Sequence, residues 1–316
     1  MKKKQSTWPA LPYGDWQDTC ATLHRWTQIV GKIRLARTPW HIHSWHATFY
    51  LTVRGLSTSP ISYDGRLFQI DFDFIDHKLL IQMDSGSSRE QPLRAQSVAD
   101  FYATVLSLLA ELNLHMTIHG SPNEVPDQIP FERDTTHAAY DPEAAHRFWR
   151  ALLQADRVLK HFRTGFLGKS SPVHFFWGSF DLAVTRFSGR PAPRHPGGVP
   201  NLPDRVTREA YSHEVSSAGF WPGGGPTDYA AFYSYAYPTP DTFPSRPVQP
   251  GEAIYRKEAG EFLLPYEVVR TARDPDQVLL DFLQTTYEAA ADAGEWNRKS
   301  LECPLGVEGE PRRANE

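Results

Sequence analysis

The sequence is poor in cysteine, and this scarcity excludes several classes of protein. Among 316 residues, only Cys20 and Cys303 are cysteines. Two cysteines so far apart are too few for a disulfide framework, and they lack the close spacing of a thiolate metal site. The chain therefore fits a reducing compartment, and the cytoplasm is the expected location.

Long apolar segments and targeting signals are also missing. No apolar run approaches the roughly 20 residues that cross a bilayer. The chain begins with Met1 and three lysines, as a secretory signal does, but residues 5–9 do not supply the apolar stretch that must follow. We therefore expect neither a signal peptide nor a membrane partner.

The chain has no excess of positive charge. Lysine and arginine number 33 against 37 aspartate and glutamate residues, so the formal net charge is -4. A basic field is what attracts a phosphate backbone, so nucleic acid is not an expected partner. In contrast, 40% of the residues are apolar and 13% are aromatic, which is ample for packed cores. We expect a folded protein whose partner is a small molecule, in an oligomeric state that the sequence leaves open.

The first half of the chain contains both helical and strand periodicities. Apolar side chains recur at helical spacing, and β-branched and aromatic residues alternate with polar ones elsewhere. Helices are predicted at residues 19–30, which Gly31 would end, and at 98–112; strands are predicted at 45–54, 68–75 and 79–83, the last two forming a hairpin.

The second half repeats this order after an irregular linker at residues 120–140. Asp141 with Pro142, and later Asp274 with Pro275, are typical helix starts. Between them, strands are predicted at 175–186, 213–220, 230–237 and 262–270. The expected fold is α+β: two related helix–antiparallel sheet–helix halves packed into one body. The halves are predicted at residues 1–135 and 136–297, followed by a polar tail at 298–316.

Particular residues also recur between the halves. The recurring pairs are Gly31-Lys32 with Gly168-Lys169, Pro39-x-His41 with Pro172-x-His174, Trp45 with Trp177, and Arg54 with Arg186. This pattern favours an internal duplication, and the alternative is coincidence between two aromatic strands. A duplication would make the groove between the halves the natural site.

The densest histidine cluster predicts a candidate metal site. On a strand, His41 and His43 would share one face, where two imidazoles can chelate a divalent transition metal. A third ligand would come from elsewhere, with Asp71 and Asp73 the candidate carboxylates. The alternative is a sheet face on which imidazoles and aromatic rings pack and hydrogen-bond.

Acid–base groups accumulate in the second half. His213 and Glu214 are adjacent and suit a general base with its orienting partner. His174 and Asp181 are further catalytic candidates. In a metal-assisted version, Glu214 or Asp181 would be the carboxylate ligand or base, and a bound water would be the nucleophile. A structural role is the alternative for each residue.

Aromatic and arginine side chains are the candidates for ligand contacts. Tyr233 and Tyr235 share one face of a predicted strand, so they could line a pocket for a ring-bearing or amphipathic ligand. His195 lies in a proline-rich loop, and Arg54 with Arg186 could clamp a carboxylate. The candidate ligand-binding residues are Trp45, Arg54, Trp177, Arg186, His195, Trp221, Tyr233 and Tyr235.

Four further motifs stand out: Leu23-His24-x-Trp26-Thr27-Gln28, Phe72-Asp73-Phe74-Ile75-Asp76-His77, Phe176-Trp177-Gly178-Ser179-Phe180-Asp181 and Ser212-His213-Glu214-Val215. With these motifs the chain resembles the domain-of-unknown-function family catalogued as 5996. The resemblance extends over about residues 8–295. It implies a single bacterial cytosolic unit, and it brings no activity, substrate or catalytic residue with it.

Together, these patterns favour an enzyme that acts on a small molecule in a histidine- and aromatic-lined cleft between the halves. Its cofactor is open, a divalent transition metal being the candidate. One alternative is a non-catalytic module that binds an aromatic or amphipathic metabolite. Another is a structural protein that associates through an exposed aromatic surface.

Overall fold

A computed structural model of the chain describes residues 7–199 and 201–312. The basic N-terminal segment lies in residues 1–6, and the polar tail ends in residues 313–316; both stretches fall outside the described residues. The described residues form seven α-helices: α1 (Gln17–Arg37), α2 (Val98–Glu111), α3 (Pro142–Thr164), α4 (Asp204–Ala210), α5 (Tyr266–Thr271), α6 (Pro275–Ala293) and α7 (Arg298–Leu301).

Two antiparallel sheets of six strands each are formed by the described residues, so the α+β fold class is confirmed. The first sheet contains β1 (Tyr50–Leu51), β2 (Gly55–Ser57), β3 (Ile61–Tyr63), β4 (Arg66–Asp73), β5 (Lys78–Met83) and β6 (Ser88–Pro92). The second contains β7 (His174–Phe176), β8 (Asp181–Pro191), β9 (His213–Trp221), β10 (Ala231–Tyr237), β11 (Ile254–Arg256) and β12 (Glu261–Pro265). In the second sheet the strand order is β11-β12-β10-β9-β8-β7.

A pair of phenylalanines joins the two sheets. Phe49, just before β1, and Phe175 of β7 exchange both backbone N–H···O hydrogen bonds, each 2.8 Å long. This is the hydrogen-bonded pair of an antiparallel ladder. The sheets therefore meet at their edges, and the two halves share backbone pairing as well as side-chain packing.

One continuous hydrophobic core holds both halves. On α1, the indole of Trp26 stacks on Phe101 of α2 at 4.6 Å and on Tyr140 at 5.6 Å. On α3, Phe148 stacks on Phe180 at 5.2 Å, next to the second sheet. The prediction that the halves form one body is confirmed.

The second sheet has one face in this core and a different cluster on the other. Phe220 and Phe232 point into the core, whereas Tyr233 and Leu263 pack with Trp221 on the opposite face. This division follows from the alternation of side chains along a strand. The face that carries Tyr233, here called the outer face, positions the candidate site.

The predicted hairpin and helix starts are confirmed. β4 and β5 pair antiparallel, from Phe68 with Met83 to Asp73 with Lys78. Asp141 accepts hydrogen bonds from the first-turn N–H groups of α3, and Asp274 does the same for α6. Such caps satisfy donors that have no partner within the helix.

Two predictions in the first half are wrong. Gly31 does not end α1, which continues to Arg37. Residues 45–54 are mostly irregular: pairing is confined to Phe49 and Tyr50–Leu51, and the preceding turn holds His43 at a φ of 61°. The aromatic content of this segment is typical of a strand. At this turn the carboxylate of Glu209 accepts a hydrogen bond from the backbone N–H of His43, a contact with a distant segment of the chain.

Two strand predictions in the second half need correction. The strand predicted at 175–186 is broken by a turn in which Phe180 has a φ of 60°, so β7 and β8 form a hairpin. The strand predicted at 262–270 ends at Pro265, where α5 begins. Proline has no N–H to continue a ladder, and its fixed φ suits the approach to a helix.

The internal duplication is not confirmed, because residues paired by the sequence pattern have unlike surroundings. Arg54 is half exposed and forms ion pairs with Asp73 and Asp76, whereas Arg186 is buried. The division of the chain at residues 135 and 297 stays a prediction.

The segment after α6 contacts the end of α3. The carbonyl of Leu301 accepts a hydrogen bond from Leu167 N–H, and Gly306 N–H donates to the Thr164 hydroxyl. Among the described residues, no helix combines the length and apolar character needed to span a membrane.

Candidate functional site

Asp181 and Tyr233 meet on the outer face of the second sheet. The Tyr233 hydroxyl donates a hydrogen bond to Oδ2 of Asp181, and the Ser179 hydroxyl donates to Oδ1. Burial raises the pKa of Asp181, and both hydrogen bonds oppose this effect. Burial, with the Asp181 charge as the next cause, raises the pKa of Tyr233, so this phenol stays protonated and remains a donor.

A glycine makes this hydrogen bond possible. Tyr233 pairs with Gly219 of β9, and a β-carbon at Gly219 would lie 2.5 Å from the Tyr233 hydroxyl oxygen. Contacts this short do not occur between side-chain atoms. The tyrosine ring therefore lies over the bare backbone of β9 and reaches β8 beyond it.

Further aromatic rings extend the outer face beyond Tyr233. The hydroxyl groups of Tyr235 and Tyr211 are 3.0 Å apart and share a hydrogen bond. The imidazole of His195 stacks on Tyr211 at 5.0 Å and lies 5.0 Å from Tyr237. Burial raises the pKa values of Tyr211 and Tyr235, so these groups also stay protonated.

One face of α1 holds the irregular segment that follows residue 120. Gln28 forms two hydrogen bonds of 2.7 Å with the backbone N–H and carbonyl of Asn123. One turn later, Lys32 donates from Nζ to Oδ1 of Asn123. One turn earlier, His24 Nε2 lies 2.8 Å from the carbonyl oxygen of Gly178. The spacing of four residues places these side chains in one row.

Glu124 is the next residue in this fixed segment, and its backbone has a φ of 57°. Residues other than glycine rarely adopt this backbone conformation, because it costs free energy. Where it does occur, it is often at a functional site. Oε1 of Glu124 lies only 2.2 Å from the position of a β-carbon at Gly178. Residue 178 therefore has to be glycine for the carboxyl group to lie there.

The carboxyl group of Glu124 has no hydrogen-bond or ion-pair partner within residues 7–199 and 201–312. Glu124 exposes part of its surface to solvent, while its carboxyl end lies against the protein. Burial of that end, reinforced by the charge of Asp181 and opposed by Lys32, raises the pKa of Glu124 to about 7. The group can therefore both give and accept a proton near neutral pH.

Two other titratable groups belong to the same electrostatic cluster. Burial lowers the pKa of Lys32 to about 8, against the opposing effect of Glu124. Burial, with the charge of Asp181 as a second cause, raises the pKa of Glu261 on β12 to about 7. Such perturbed groups accumulate at functional sites. The candidate site is therefore defined as Lys32, Glu124, Asp181, Tyr211, Tyr233, Tyr235 and Glu261.

Trp177 packs beside this site and has a structural role. Its indole N–H donates a 2.7 Å hydrogen bond to the carbonyl of Ala47, and its ring lies on Gly31 of α1. A β-carbon at Gly31 would be 2.3 Å from the ring. Gly31 is thus needed for the packing of Trp177 against α1, and it has this role inside the helix and not at its end.

The predicted metal pair does not have the geometry that the sequence pattern required. His43 Nδ1 lies 2.9 Å from the Ala210 carbonyl oxygen, and Nε2 lies 2.6 Å from Lys169 Nζ, so the protein contacts both ring nitrogens. His41 is exposed and meets Trp45 edge to face. Over the described part of the chain, no three His, Cys, Asp or Glu side chains gather as metal ligands would. Metal binding by His41 and His43 stays a prediction.

His213 and Glu214 point to different surroundings, as neighbours on a strand must. Glu214 accepts hydrogen bonds of 2.8 Å from Ser188 and Arg190, and the latter also forms an ion pair with it. His213 Nδ1 lies 3.1 Å from the Ser212 hydroxyl. The structure therefore does not join the two as a base and its orienting partner. A cavity of about 240 Å³ lies beside Glu214, and none of the candidate-site residues line it.

The other predicted residues are dispersed. His174 is buried against Trp45 and Phe176, and its Nδ1 has no hydrogen-bond partner among the described residues. Trp221 belongs to the outer-face cluster with Tyr233. Arg186 is enclosed by aromatic rings, 3.5 Å from that of Phe162, so it does not form a clamp with the half-exposed Arg54.

The sequence patterns predicted Asp181 as a catalytic candidate and Tyr233 and Tyr235 as ligand-binding candidates, and all three lie on this part of the second sheet. They missed Lys32, Glu124, Tyr211 and Glu261. Lys32 belongs to the repeated Gly-Lys pair. That pair marked Lys32 as part of the repeat pattern but did not indicate a functional role. Glu124 lies in the irregular linker, where no periodicity points to a site.

Comparisons with known proteins give a family and no activity. A family model described as a family of unknown function, DUF5996, matches residues 8–303. No curated protein and no solved structure matches the chain. Every residue of the candidate site falls within the matched part of the chain.

Proposed function

Because the chain belongs to the DUF5996 family, whose function is unknown, we propose from its side chains that it is an enzyme in which Glu124 is the general acid or base for a small polar molecule. The observation that carries this proposal is the unpartnered carboxyl group of Glu124. A rigid segment holds it on a strained backbone, against a glycine that leaves room for nothing larger. The carboxyl group is thus held in place by the backbone of its segment and left open to a ligand.

The neighbouring groups suit substrate binding. Tyr211, Tyr233 and Tyr235 remain protonated, and their hydroxyl oxygens can still accept hydrogen bonds from a polar ligand. Asp181 holds Tyr233 in a fixed orientation. In this proposal, Asp181 keeps a site role, whereas His213, Glu214 and His174 have none, because Glu214 is already paired and His174 is enclosed.

The proposed partner is a small molecule, and the cytoplasm is the proposed location. Both described cysteines are free thiols, Cys20 buried and Cys303 half-buried, which fits a reducing compartment. The net charge of -4 favours neither nucleic acid nor an anionic membrane surface.

A non-catalytic binding module is the second candidate function. The stack of His195, Tyr211 and Tyr237 favours it, because aromatic walls hold ring-bearing ligands without chemistry. This candidate differs from the first in one respect: its ligand would be returned unchanged.

The test is incubation of the protein with a mixed extract of small metabolites, followed by mass spectrometry. We expect wild-type protein to consume at least one compound and Glu124→Gln to consume it about 100-fold more slowly. Glu132→Gln is the matched control, because Glu132 is an exposed carboxylate in the same irregular region, beside Arg133. A compound that binds wild-type protein and Glu124→Gln equally, without being consumed, would contradict the enzyme and favour the binding module.

A further inference from the structure

Lys32 is a buried cation without a counterion at bonding distance. The residue is 5% exposed, and its Nζ donates a hydrogen bond to the amide oxygen of Asn123. Within the described residues, no carboxylate oxygen lies within ion-pairing distance of this nitrogen. Burial of an ammonium group without a paired charge is costly, so this position disfavours the charged form of the amine.

The surroundings of Lys32 hold its amine in a fixed place. Gln28 fixes Asn123, the hydrogen-bond acceptor of Lys32, through two backbone hydrogen bonds. The ring of Trp177 lies 5.7 Å from Nζ on another side. Glu124, which interacts electrostatically with Lys32, is exposed to solvent, so a substrate would approach Lys32 from the side of Glu124.

We propose that Lys32 forms an imine with the carbonyl carbon of an uncharged, hydroxylated aldehyde or ketone, with Glu124 as the proton-transfer group; this inference rests on the function proposed above. A nucleophilic amine with an adjacent acid–base group is the arrangement that this chemistry requires. Burial, which lowers the pKa of Lys32 to about 8, gives more uncharged amine at neutral pH than an exposed lysine has.

The step is balanced within the site. The lone pair of the uncharged Nζ attacks the carbonyl carbon, a C–N bond forms, and the carbonyl oxygen takes a proton from the Glu124 carboxyl group. The nitrogen then returns a proton to Glu124, which leaves a neutral carbinolamine. Glu124 protonates the hydroxyl group, the C–O bond breaks, and water leaves. Loss of the remaining nitrogen proton to the carboxylate gives the imine, so that one amine and one carbonyl compound yield one imine and one water.

The charges and hydroxyl groups of the site indicate the substrate class. The Asp181 carboxylate, which accepts hydrogen bonds from Ser179 and Tyr233, would repel a carboxylate or phosphate on the substrate. The hydroxyl groups of Tyr211 and Tyr235 offer hydrogen bonds to substrate hydroxyl groups. An uncharged hydroxycarbonyl compound fits both conditions, whereas a keto acid does not.

The experiment is reductive trapping on the full-length folded protein. Protein is incubated near pH 7 with glycolaldehyde and cyanoborohydride, which reduces an imine to a stable secondary amine, and adducts are located by peptide mapping. We expect Lys32 to be labelled about tenfold faster than Lys78 and Lys160, which are held in ion pairs with Glu90 and Asp156. Lys169 is the internal comparator: the residue is exposed, but partial burial of its amine also lowers its pKa.

Variants separate the two proposals. Glu124→Gln should slow labelling of Lys32 about 100-fold and leave Lys169 unchanged, whereas Glu132→Gln should affect neither. Labelling of Lys169 without Lys32 in wild-type protein would overturn the imine and leave the role of Glu124 intact. Labelling of Lys32 at the same rate in Glu124→Gln would overturn the role of Glu124 instead. Labelling of Lys32 by pyruvate as fast as by glycolaldehyde would overturn the substrate class.

Discussion

The hydroxyl group of Tyr233 on β10 donates a hydrogen bond to the carboxylate of Asp181 on β8, across the strand that separates them. Adjacent strands lie about 4.8 Å apart, so the two side chains together have to bridge two strand spacings. Only the long tyrosine side chain lying flat on the sheet can reach so far. Gly219 of β9 lies beneath it, and a β-carbon there would meet the hydroxyl oxygen at 2.5 Å.

The first prediction concerns this glycine. Gly219→Ala should destabilise the fold by about 2 kcal/mol, because the new methyl group would clash with Tyr233 and with the backbone carbonyl oxygen of Leu182. Denaturant unfolding measures the change. Gly251→Ala is the control, since nothing lies within 4 Å of a β-carbon at that position.

Tyr233→Phe separates the two causes. It removes the hydrogen bond to Asp181 without adding volume, and it should cost about 1 to 2 kcal/mol. A similar loss in Tyr229→Phe, whose hydroxyl makes no hydrogen bond within the described residues, would show that the effect belongs to the aromatic cluster and not to the Asp181 bond.

The second prediction follows from the raised pKa of Glu124. In the unfolded chain this group has a pKa of 4.5, and in the folded protein about 7. Between these pH values the folded state therefore binds more protons than the unfolded chain. As pH rises from 4.5 through 7, the contribution of Glu124 to the free energy of unfolding falls. Solvent screening keeps the slope well below the one-proton limit of about 1.4 kcal/mol per pH unit.

Glu124→Gln should remove this fall, so the variant gains stability relative to wild type as pH rises. Unfolding free energies at a series of pH values give the comparison. Glu132→Gln should follow the wild-type curve throughout. If Glu124→Gln does the same, the carboxyl group titrates as an ordinary exposed one, and the basis for proton transfer near pH 7 is lost.

The third prediction has a sign opposite to that expected from helix propensity. Alanine is favoured over glycine by about 1 kcal/mol inside a helix, and Gly31 lies inside α1. Even so, Gly31→Ala should destabilise the fold by about 1 to 3 kcal/mol, because its β-carbon would lie 2.3 Å from the Trp177 ring. Tryptophan fluorescence and thermal unfolding should both change. An increase in stability would show that the indole can move away without loss.

Local signals predicted much of the fold. The caps at Asp141 and Asp274 fixed the starts of two long helices, because proline and a side-chain acceptor act within one turn. Period-two alternation, which is also a local signal, located β4 and β10. The prediction of a strand at 45–54 failed, because aromatic residues of this segment contact the second half of the chain. Phe49, for example, pairs with Phe175, which is distant in sequence.

The candidate site was predictable only in part. Asp181, Tyr233 and Tyr235 lie on or at the start of strands, where alternation shows which face they share. Glu124 and Lys32 come together through hydrogen bonds between α1 and Asn123, across about 90 residues of chain. No periodicity encodes such a contact, and the raised or lowered pKa of each group depends on burial that only the folded structure creates.

The last prediction concerns His174, a buried imidazole whose Nδ1 has no hydrogen-bond partner within the described residues. Burial lowers its pKa from 6.5 to about 3. Between these pH values the unfolded chain therefore binds a proton that the folded protein excludes. The contribution of His174 to the free energy of unfolding is complete above pH 6.5 and is lost as pH falls toward 3. The limiting slope for one proton is about 1.4 kcal/mol per pH unit.

His174→Phe should flatten this acid dependence. At pH 8 it should be as stable as wild type or slightly more so, because an apolar ring of similar shape replaces an unpartnered polar one. At pH 5 the variant should be more stable than wild type by about 1 to 2 kcal/mol. His161→Phe, at an exposed position of α3, supplies the control. A catalytic His174 would instead be expected to tolerate protonation, and an unchanged acid slope in His174→Phe would mean that this imidazole titrates freely in the folded protein.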